Sequence, residues 1–495
     1  MPTARPRTPA SVWTLPLWWG GHRGLLVCRL FITCLLPDLT DLRYSPKTLA
    51  APSSRTVISD QMVARPNVLV FGGLDFLLSS LIPQLVPPLP AEALVSHIRI
   101  IDKYLVDPPT TLISKELLGL LRGRSDIIEY RQGNLTNPDV VSKSFMDPAP
   151  NGLPYSHIID LTGDSMPGRP PEIYVQTTLN VSLLIARASA AQLSRIPGSI
   201  KAHIRSTGPF YKHPDPKKRY KEDDPEGWKP RDMRAVWWHE TLRAIGSIPG
   251  LPLVILRSSL LYGETYTRFE TLVFILLGLV YKHMDEDMKL LWSPDLPKNC
   301  INIYDLAGAI WKVAEWVSTK TRKEADALAG SPIPPSYDPF VTTSISPDVV
   351  LATSGSVVVP VFNMVDEGDT TQARIAEVLS ETYGINVEFA ELSDEVFSGM
   401  TMSDIVEEAN RVHLEAWREI VARSNPPLSH APLSPYMPRG FILEEYAYGV
   451  DGERAKKVLG YRHRYPRMNK QAIHDYINWC RREGIWPETD LYTAQ

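Results

Sequence analysis

Cysteine is scarce: Cys28, Cys34, Cys300 and Cys480 are the only four in 495 residues, and none forms a Cys-x-x-Cys pair. That scarcity excludes zinc knuckles and a disulfide framework, and it fits a reducing compartment. No metal site is expected. Strong charge of one sign is missing too. Fifty-two basic residues face 56 acidic ones, a net charge of −4, so no global field draws the chain to nucleic acid or an anionic membrane. No apolar run reaches the ~18–20 residues of a membrane span. The strongest, Leu272–Leu279, reads as a core helix. No repeat of fixed period is visible.

What is present looks globular. Apolar residues are 44% and charged residues 22% of the chain, values that exclude wholesale disorder. The length of 495 residues allows two to four domains or one α/β unit with large insertions. The 44 prolines are about twice the ordinary share and predict long irregular connections.

Residues 1–62 read as an irregular extension. They carry Arg5, Arg7, Arg23 and Arg29, no acid before Asp38, and the aromatics Trp13, Trp18 and Trp19. A mitochondrial presequence is the alternative, because such signals are arginine-rich and poor in acids. Pro2, Pro6, Pro9 and Pro16 would break the amphipathic helix it requires. Leu25–Leu36 is interrupted by Arg29 and too short to span a membrane. Met62 stands just before the first strand. A cytoplasmic location is expected, with mitochondria as the alternative.

From Asn67 the pattern turns regular. Asn67–Phe71 is a continuous apolar run ending in Gly72-Gly73, as a strand buried on both faces reads. Leu74–Ile82 follows as a short helix stopped by Pro83. His97–Ile101 ends at Asp102, Ile127–Tyr130 runs into Gly133-Asn134-Leu135, and His157–Asp160 runs into Leu161-Thr162-Gly163. Pro170–Ala191 reads as a helix, and Ala202–Arg205 as a fifth strand before Ser206-Thr207. Leu253–Leu256 is a sixth, before Arg257 and Tyr262-Gly263. Alternation of this kind predicts a doubly wound parallel α/β sheet of Rossmann type, with ligands beyond the carboxyl ends of the strands. Cys300–Ile303 and Val361–Val365 read as late strands, and 319–360 as a loose insertion rich in serine and proline. Helical periodicity marks Gln372–Thr382, Ser403–Ala422, Asp451–Leu459 and Lys470–Glu483. The expected organisation is 1–62 extension, 63–265 dinucleotide domain, 266–318 substrate-domain helices with a late strand and helix, 319–360 insertion, and 361–495 last strand with a mostly helical substrate domain.

These residues together resemble the extended short-chain dehydrogenases, the NAD-dependent epimerases and dehydratases of sugar nucleotides and related carbinols. Phe71-Gly-Gly-Leu-Asp-Phe76 sits where that group has its glycine turn, and Asp102 where it binds the adenosine ribose. Gly133-Asn134-Leu135 resembles the loop beside adenine, Leu161-Thr162-Gly163 the turn after strand four, and Asn180 its helix asparagine. Ser206-Thr207-Gly208-Pro209-Phe210-Tyr211 resembles the strand-five motif, with Thr207 on the catalytic Ser/Thr. Arg257-Ser-Ser-Leu-Leu-Tyr-Gly263 and Ile303-Tyr-Asp305 resemble downstream signatures. The resemblance implies NAD on Gly72, Gly73, Phe76, Asp102, Asn134, Leu161, Thr162, Gly163 and Asn180. It implies a substrate near Tyr211, Arg257 and Tyr262, and a homodimer through the helices after strands four and five. Asp102 favours NAD over NADP because its charge repels a 2′-phosphate.

Two departures weaken that implication. Asp75 and Leu78 occupy the second and third glycine positions of the turn, which serve approach to the pyrophosphate and helix packing. A carboxylate close to a phosphate costs on the order of 4 kcal/mol at an effective dielectric of 20. Either Asp75 caps the following helix, or the loop has stopped binding phosphate. Nor does any tyrosine have a lysine four residues later, the pair by which the group makes a phenol a usable base. Arg231-Asp-Met-Arg-Ala-Val-Trp-Trp-His-Glu240 fills that helix, with Trp237 or Trp238 in place of the pair. Indole is neither base nor cation. His239 is the nearby replacement candidate, and Lys212, Lys217, Lys218 and Lys221 crowd a loop that is either solvated or attractive to a phosphorylated ligand. The reading is an NAD-binding, epimerase/dehydratase-like protein whose standard tyrosine/lysine catalysis is lost. The alternative is a non-catalytic ligand-binding or scaffold protein. Whether it acts as an enzyme stays open at this point.

Overall fold

The computed structural model describes residues 65–336, 338–339, 341, 355–390, 402–428, 430–438 and 446–491. The expectations for 1–62, and for 342–354 of the insertion, lie outside these residues.

Five apolar segments form the centre of one sheet: β1 (Asn67–Phe71), β2 (His97–Asp102), β4 (His157–Asp160), β5 (Ala202–Thr207) and β6 (Leu253–Ser258), each buried along its whole length. With β3 (Ile128–Gln132), β10 (Gly330–Ile333) and β11 (Val357–Met364) they build an eight-stranded sheet ordered β10-β11-β6-β5-β4-β1-β2-β3. All neighbours run parallel except β10 with β11. Burial on both faces explains why these strands read as unbroken apolar runs. The order reverses at β1, which pairs with β2 on one side and β4 on the other. The register places Phe71 beside Ile101 and Asp160, so Gly72, Asp102 and Leu161 emerge on one edge.

Helices α1 (Leu78–Leu85), α2 (Lys115–Gly123), α3 (Pro138–Met146), α4 (Pro171–Tyr174), α5 (Asn180–Arg195) and α6 (Met233–Gly246) connect these strands. A π-turn, Val175–Leu179, joins α4 to α5. Polar caps set the boundaries: Ser114 starts α2, Asn137 starts α3, and an Asp232 carboxylate oxygen accepts from the Ala235 amide at 2.8 Å to start α6. A second apolar cluster gathers α7 (Phe269–Met284) with Ile375–Tyr383, Trp417, Ile420 and Tyr476–Cys480. The run Leu272–Leu279 is thus core, and no helix among the described residues is long and apolar enough to cross a membrane. The short strands β7 (Leu260–Tyr262) and β9 (Cys300–Asn302) pair, as do β8 (Met288–Leu291) and β12 (Val387–Ala390). Helices α8 (Ile303–Ser318), α9 (Arg322–Ala329), α10 (Gln372–Tyr383), α11 (Met402–Ala422), α12 (Glu453–Leu459) and α13 (Lys470–Glu483) complete the chain.

Two local expectations need correction. The first helix starts later than the sequence suggested, and Pro83 lies inside it rather than at its end. Burial of Leu85 and Val86 carries the helix on, closed by the Val86 amide on the Ile82 carbonyl at 2.8 Å. The first part of the expected loose insertion is ordered: Thr321 and Glu324 form a capping box for α9, and β10 closes the sheet edge against β11.

Candidate functional site

At the carboxyl edge of the sheet lies a cavity of 560 Å³. Its wall includes Gly72, Gly73, Phe76, Asp102, Asn134, Leu161, Thr162, Gly163 and Thr207. The strand ends bring these nine sequence-expected residues together, as a parallel sheet requires.

The glycine turn folds tightly onto the turn after β4. Gly72 and Gly73 hold φ of +74° and +88°, the left-handed region that glycine adopts freely. A Cβ on Gly73 would stand 2.6 Å from Leu161 Cδ1. Asp102, 4% exposed, accepts from the amides of Leu74 at 2.9 Å and Lys103 at 2.6 Å. Burial pushes its carboxyl above the ordinary value, with these amide bonds opposing. Asp75 makes no cap: α1 has no side-chain cap bond. Its Oδ2 instead accepts from the Tyr104 hydroxyl at 2.7 Å and pairs with the Arg268 guanidinium.

Under the turn after β4 lies a buried ion pair. Asp160 Oδ1 accepts from Arg205 at 2.8 Å, and from Thr162 through its amide at 3.0 Å and its hydroxyl at 2.6 Å. Neither Asp160 nor Arg205 has any exposed surface. Trp238 lies 4.6 Å over the Arg205 guanidinium and donates from Nε1 to the Asp164 carbonyl at 2.8 Å. The same indole sits beside Gly163, whose Cβ would fall 2.5 Å from it, and against Phe210 at 5.1 Å. Trp238 and Phe210 therefore wall the end of the cavity near Thr207. Thr207 is 2% exposed, and its hydroxyl has no partner among the described residues.

Other expected site residues stand elsewhere. His239 is fully buried; its Nε2–H donates to the Pro334 carbonyl at 2.7 Å and its Nδ1 faces the Tyr211 hydroxyl at 3.4 Å. Burial lowers its pKa well below the ordinary value, which leaves a neutral imidazole away from the cavity. Tyr211 is buried against Trp228 at 5.2 Å. Arg257 is buried as well, donating to Asn363 Oδ1 at 2.7 Å and the Gly227 carbonyl at 2.9 Å. The Tyr262 hydroxyl donates to Asp366 at 3.3 Å. None of these three lines the cavity, whereas Ser258, Ser259, Leu260 and Leu261 do. Asn180 follows the π-turn and does not line the cavity, whereas Thr177 within that turn does. Lys212, Lys217 and Lys221 are exposed loop residues outside it, and Lys218 faces Asp224 and Glu226. Trp237, 0% exposed, is core rather than surface.

Sequence reasoning missed several wall residues: Tyr104, Asp164, Arg169, Arg231, Arg234, Tyr266, Arg268 and Tyr446. Arg231 and Arg234 were visible in the segment before the tryptophans. Arg268 and Tyr446 carry no local signal, because they arrive from distant parts of the chain. Among the described residues no group of His, Cys, Asp and Glu is arranged to hold a metal ion.

No protein-family model and no curated protein sequence matches the chain. Solved structures match its fold. The dTDP-glucose 4,6-dehydratase DesIV of Streptomyces venezuelae, with NAD bound, is 12% identical at a TM-score of 0.50, covering 85% of this chain and 98% of that one. The Bordetella bronchiseptica enzyme WbmG in complex with NAD is 12% identical at 0.51, covering 88% and 99%. UDP-glucose 4-epimerase of Thermotoga maritima with UDP-glucose is 13% identical at 0.50, covering 84% and 99%. At such identities the likeness speaks for architecture: this chain has the extended short-chain dehydrogenase fold, that of the NAD-dependent epimerases and dehydratases.

Proposed function

We propose that this protein binds an NAD-type dinucleotide in the cavity at the strand ends, and that the tyrosine/lysine hydride chemistry of the enzymes it resembles has been lost. The observation that carries the first part is the single wall shared by Gly72, Gly73, Asp102, Asn134, Leu161–Gly163 and Thr207. The residues present fit such a ligand: Asp102 offers a carboxylate to a ribose, and the buried Thr207 hydroxyl is without a partner among the described residues. When bound, NAD supplies a hydride acceptor. A 2′-phosphate on NADP would meet the Asp102 charge, so NAD is the preferred form.

Support for the second part comes from the reaction end. Trp238 has no titratable group to offer there. His239 is sealed behind Pro334 and held neutral by burial. A sugar nucleotide is the substrate class to test, since DesIV and the Thermotoga maritima epimerase act on such compounds by their names. The size and wall of the cavity favour a ligand-binding protein over a scaffold that keeps only the fold.

Calorimetric titration of the full chain with NAD, NADH and NADP tests the reading. NAD is expected to bind in the micromolar range, with NADP about tenfold weaker or more. No change in nicotinamide absorbance is expected on adding UDP-glucose or dTDP-glucose. Absence of heat with NAD up to millimolar concentration would overturn the binding claim, and turnover of either sugar nucleotide would overturn the loss of catalysis.

A further inference from the structure

The glycine turn directs its amides inward. The N–H groups of Phe76, Leu77 and Leu78 all donate to the Gly73 carbonyl, at 3.1, 2.9 and 3.1 Å, and the Leu74 amide goes to Asp102 at 2.9 Å. Such a turn and helix start ordinarily offer donors to a phosphate; here the amides of Leu74, Phe76 and Leu77 before α1, and of Leu78 at its first residue, are already engaged. What faces the cavity beside the turn is an ion pair assembled from distant segments. Asp75 and Arg268 both line the cavity with Gly72, Gly73 and Phe76. Asp75 is 15% exposed and Arg268 32%. The pair is braced from a third side by the Tyr104 hydroxyl on Asp75, and Tyr104 is itself held by the Tyr130 hydroxyl on its carbonyl. The bond to Asp75 is made by Nη2 alone, and a guanidinium carries five N–H donors in a fixed fork suited to phosphate.

We infer that Arg268, oriented by Asp75 and Tyr104, is the anion-binding group of this cavity and takes the diphosphate of a nucleotide ligand. The inference rests on the dinucleotide reading above and adds the group that makes it possible without the usual glycines. Asp75 is then a positioning residue. Its charge is balanced by Arg268, so it does not stand as an uncompensated carboxylate facing a phosphate, and the guanidinium replaces the missing backbone donors.

The test is calorimetry on the full chain with NAD, ADP and adenosine, using Arg268→Gln, Arg268→Lys, Asp75→Asn and the double variant Asp75→Asn/Arg268→Gln. Arg268→Gln is expected to weaken NAD and ADP by about 30-fold or more, with adenosine changed by less than about threefold. Arg268→Lys, which keeps charge without the fork, is expected to fall between. Asp75→Asn alone is expected to loosen NAD by less than about tenfold, whereas in the Arg268→Gln background it should improve binding, because it removes a carboxylate that has lost its partner. NAD binding by Arg268→Gln within about threefold of wild type would overturn the role of Arg268 and leave the dinucleotide reading intact. Asp75→Asn tightening NAD in the wild-type background by about tenfold would show that Asp75 obstructs the ligand, and would overturn it equally. A wild-type chain that binds neither NAD nor ADP would overturn both.

Discussion

The ion pair of Asp160 and Arg205 under the cavity floor offers the sharpest prediction. Both side chains are fully buried, and the link is a single 2.8 Å bond from Arg205 Nη1 to Asp160 Oδ1. Arg205 Nε and Nη2 and Asp160 Oδ2 have no partner among the described residues. Desolvation pulls the Arg205 pKa down against the attraction of Asp160. A pair so placed pays a large desolvation cost, and its loss depends on how it is removed. Arg205→Met leaves the aliphatic stem under Trp238 but strands a carboxylate; Asp160→Asn keeps an acceptor for Thr162 but strands a guanidinium. Each single variant should cost about 3–5 kcal/mol. The double variant removes both charges and should cost about 1–2 kcal/mol, for lost hydrogen bonds and the cation–π contact at 4.6 Å. The sum of the singles would thus exceed the double by at least about 4 kcal/mol.

Equilibrium urea unfolding, with the slope checked for constancy, measures all three. Additive single-variant costs, or a single-variant loss under about 1 kcal/mol, would refute the argument.

Two further outcomes follow from named contacts. Asp366 is 6% exposed, and burial pushes its carboxyl from 3.8 up to about 7. Its folded value lies above its unfolded one, so this group's favourable contribution is present below about pH 4 and is lost as pH climbs through 7, up to about 4 kcal/mol. Asp366→Asn should raise the melting temperature at pH 8 and not at pH 4; equal melting temperatures at pH 8 would sink the assignment. Gly73→Ala would place a Cβ 2.6 Å from Leu161 Cδ1 at a φ of +88°. It should cost about 1–3 kcal/mol and weaken NAD binding, and a variant within about 0.5 kcal/mol of wild type with unchanged affinity would contradict the tight turn.

The difference between legible and hidden parts of the site has a physical origin. Strands buried on both faces show themselves as continuous apolar runs, and turn residues follow directly from them. That is why Gly72, Asp102, Asn134, Leu161 and Thr207 were found from local pattern and lie on one wall. Helix α6 gives no such guidance, because every residue from Arg234 to Gly246 is buried. A helix covered all round has no polar face to orient its side chains by, so the sequence could not say that His239 looks to Pro334 while Trp238 looks to Gly163. The cover itself comes from the segment read as loose: Ser336 donates to Glu240 at 2.9 Å, and Arg243 donates to the Ile333 carbonyl at 2.9 Å.

By itself, then, the sequence determined the doubly wound sheet, the edge where the cavity lies, and the absence of the tyrosine/lysine pair, because each is written in neighbouring residues. Tertiary structure alone decided what surrounds that edge. Arg268 meets Asp75 across 193 positions of chain and turns an apparent electrostatic fault into a balanced pair. Arg257, inside β6, and Tyr262, the last residue of β7, do not line the cavity because Asn363, the Gly227 carbonyl and Asp366 engage them elsewhere. Side-chain direction and long-range charge pairing depend on which distant segments close over a surface, and no local period encodes that choice.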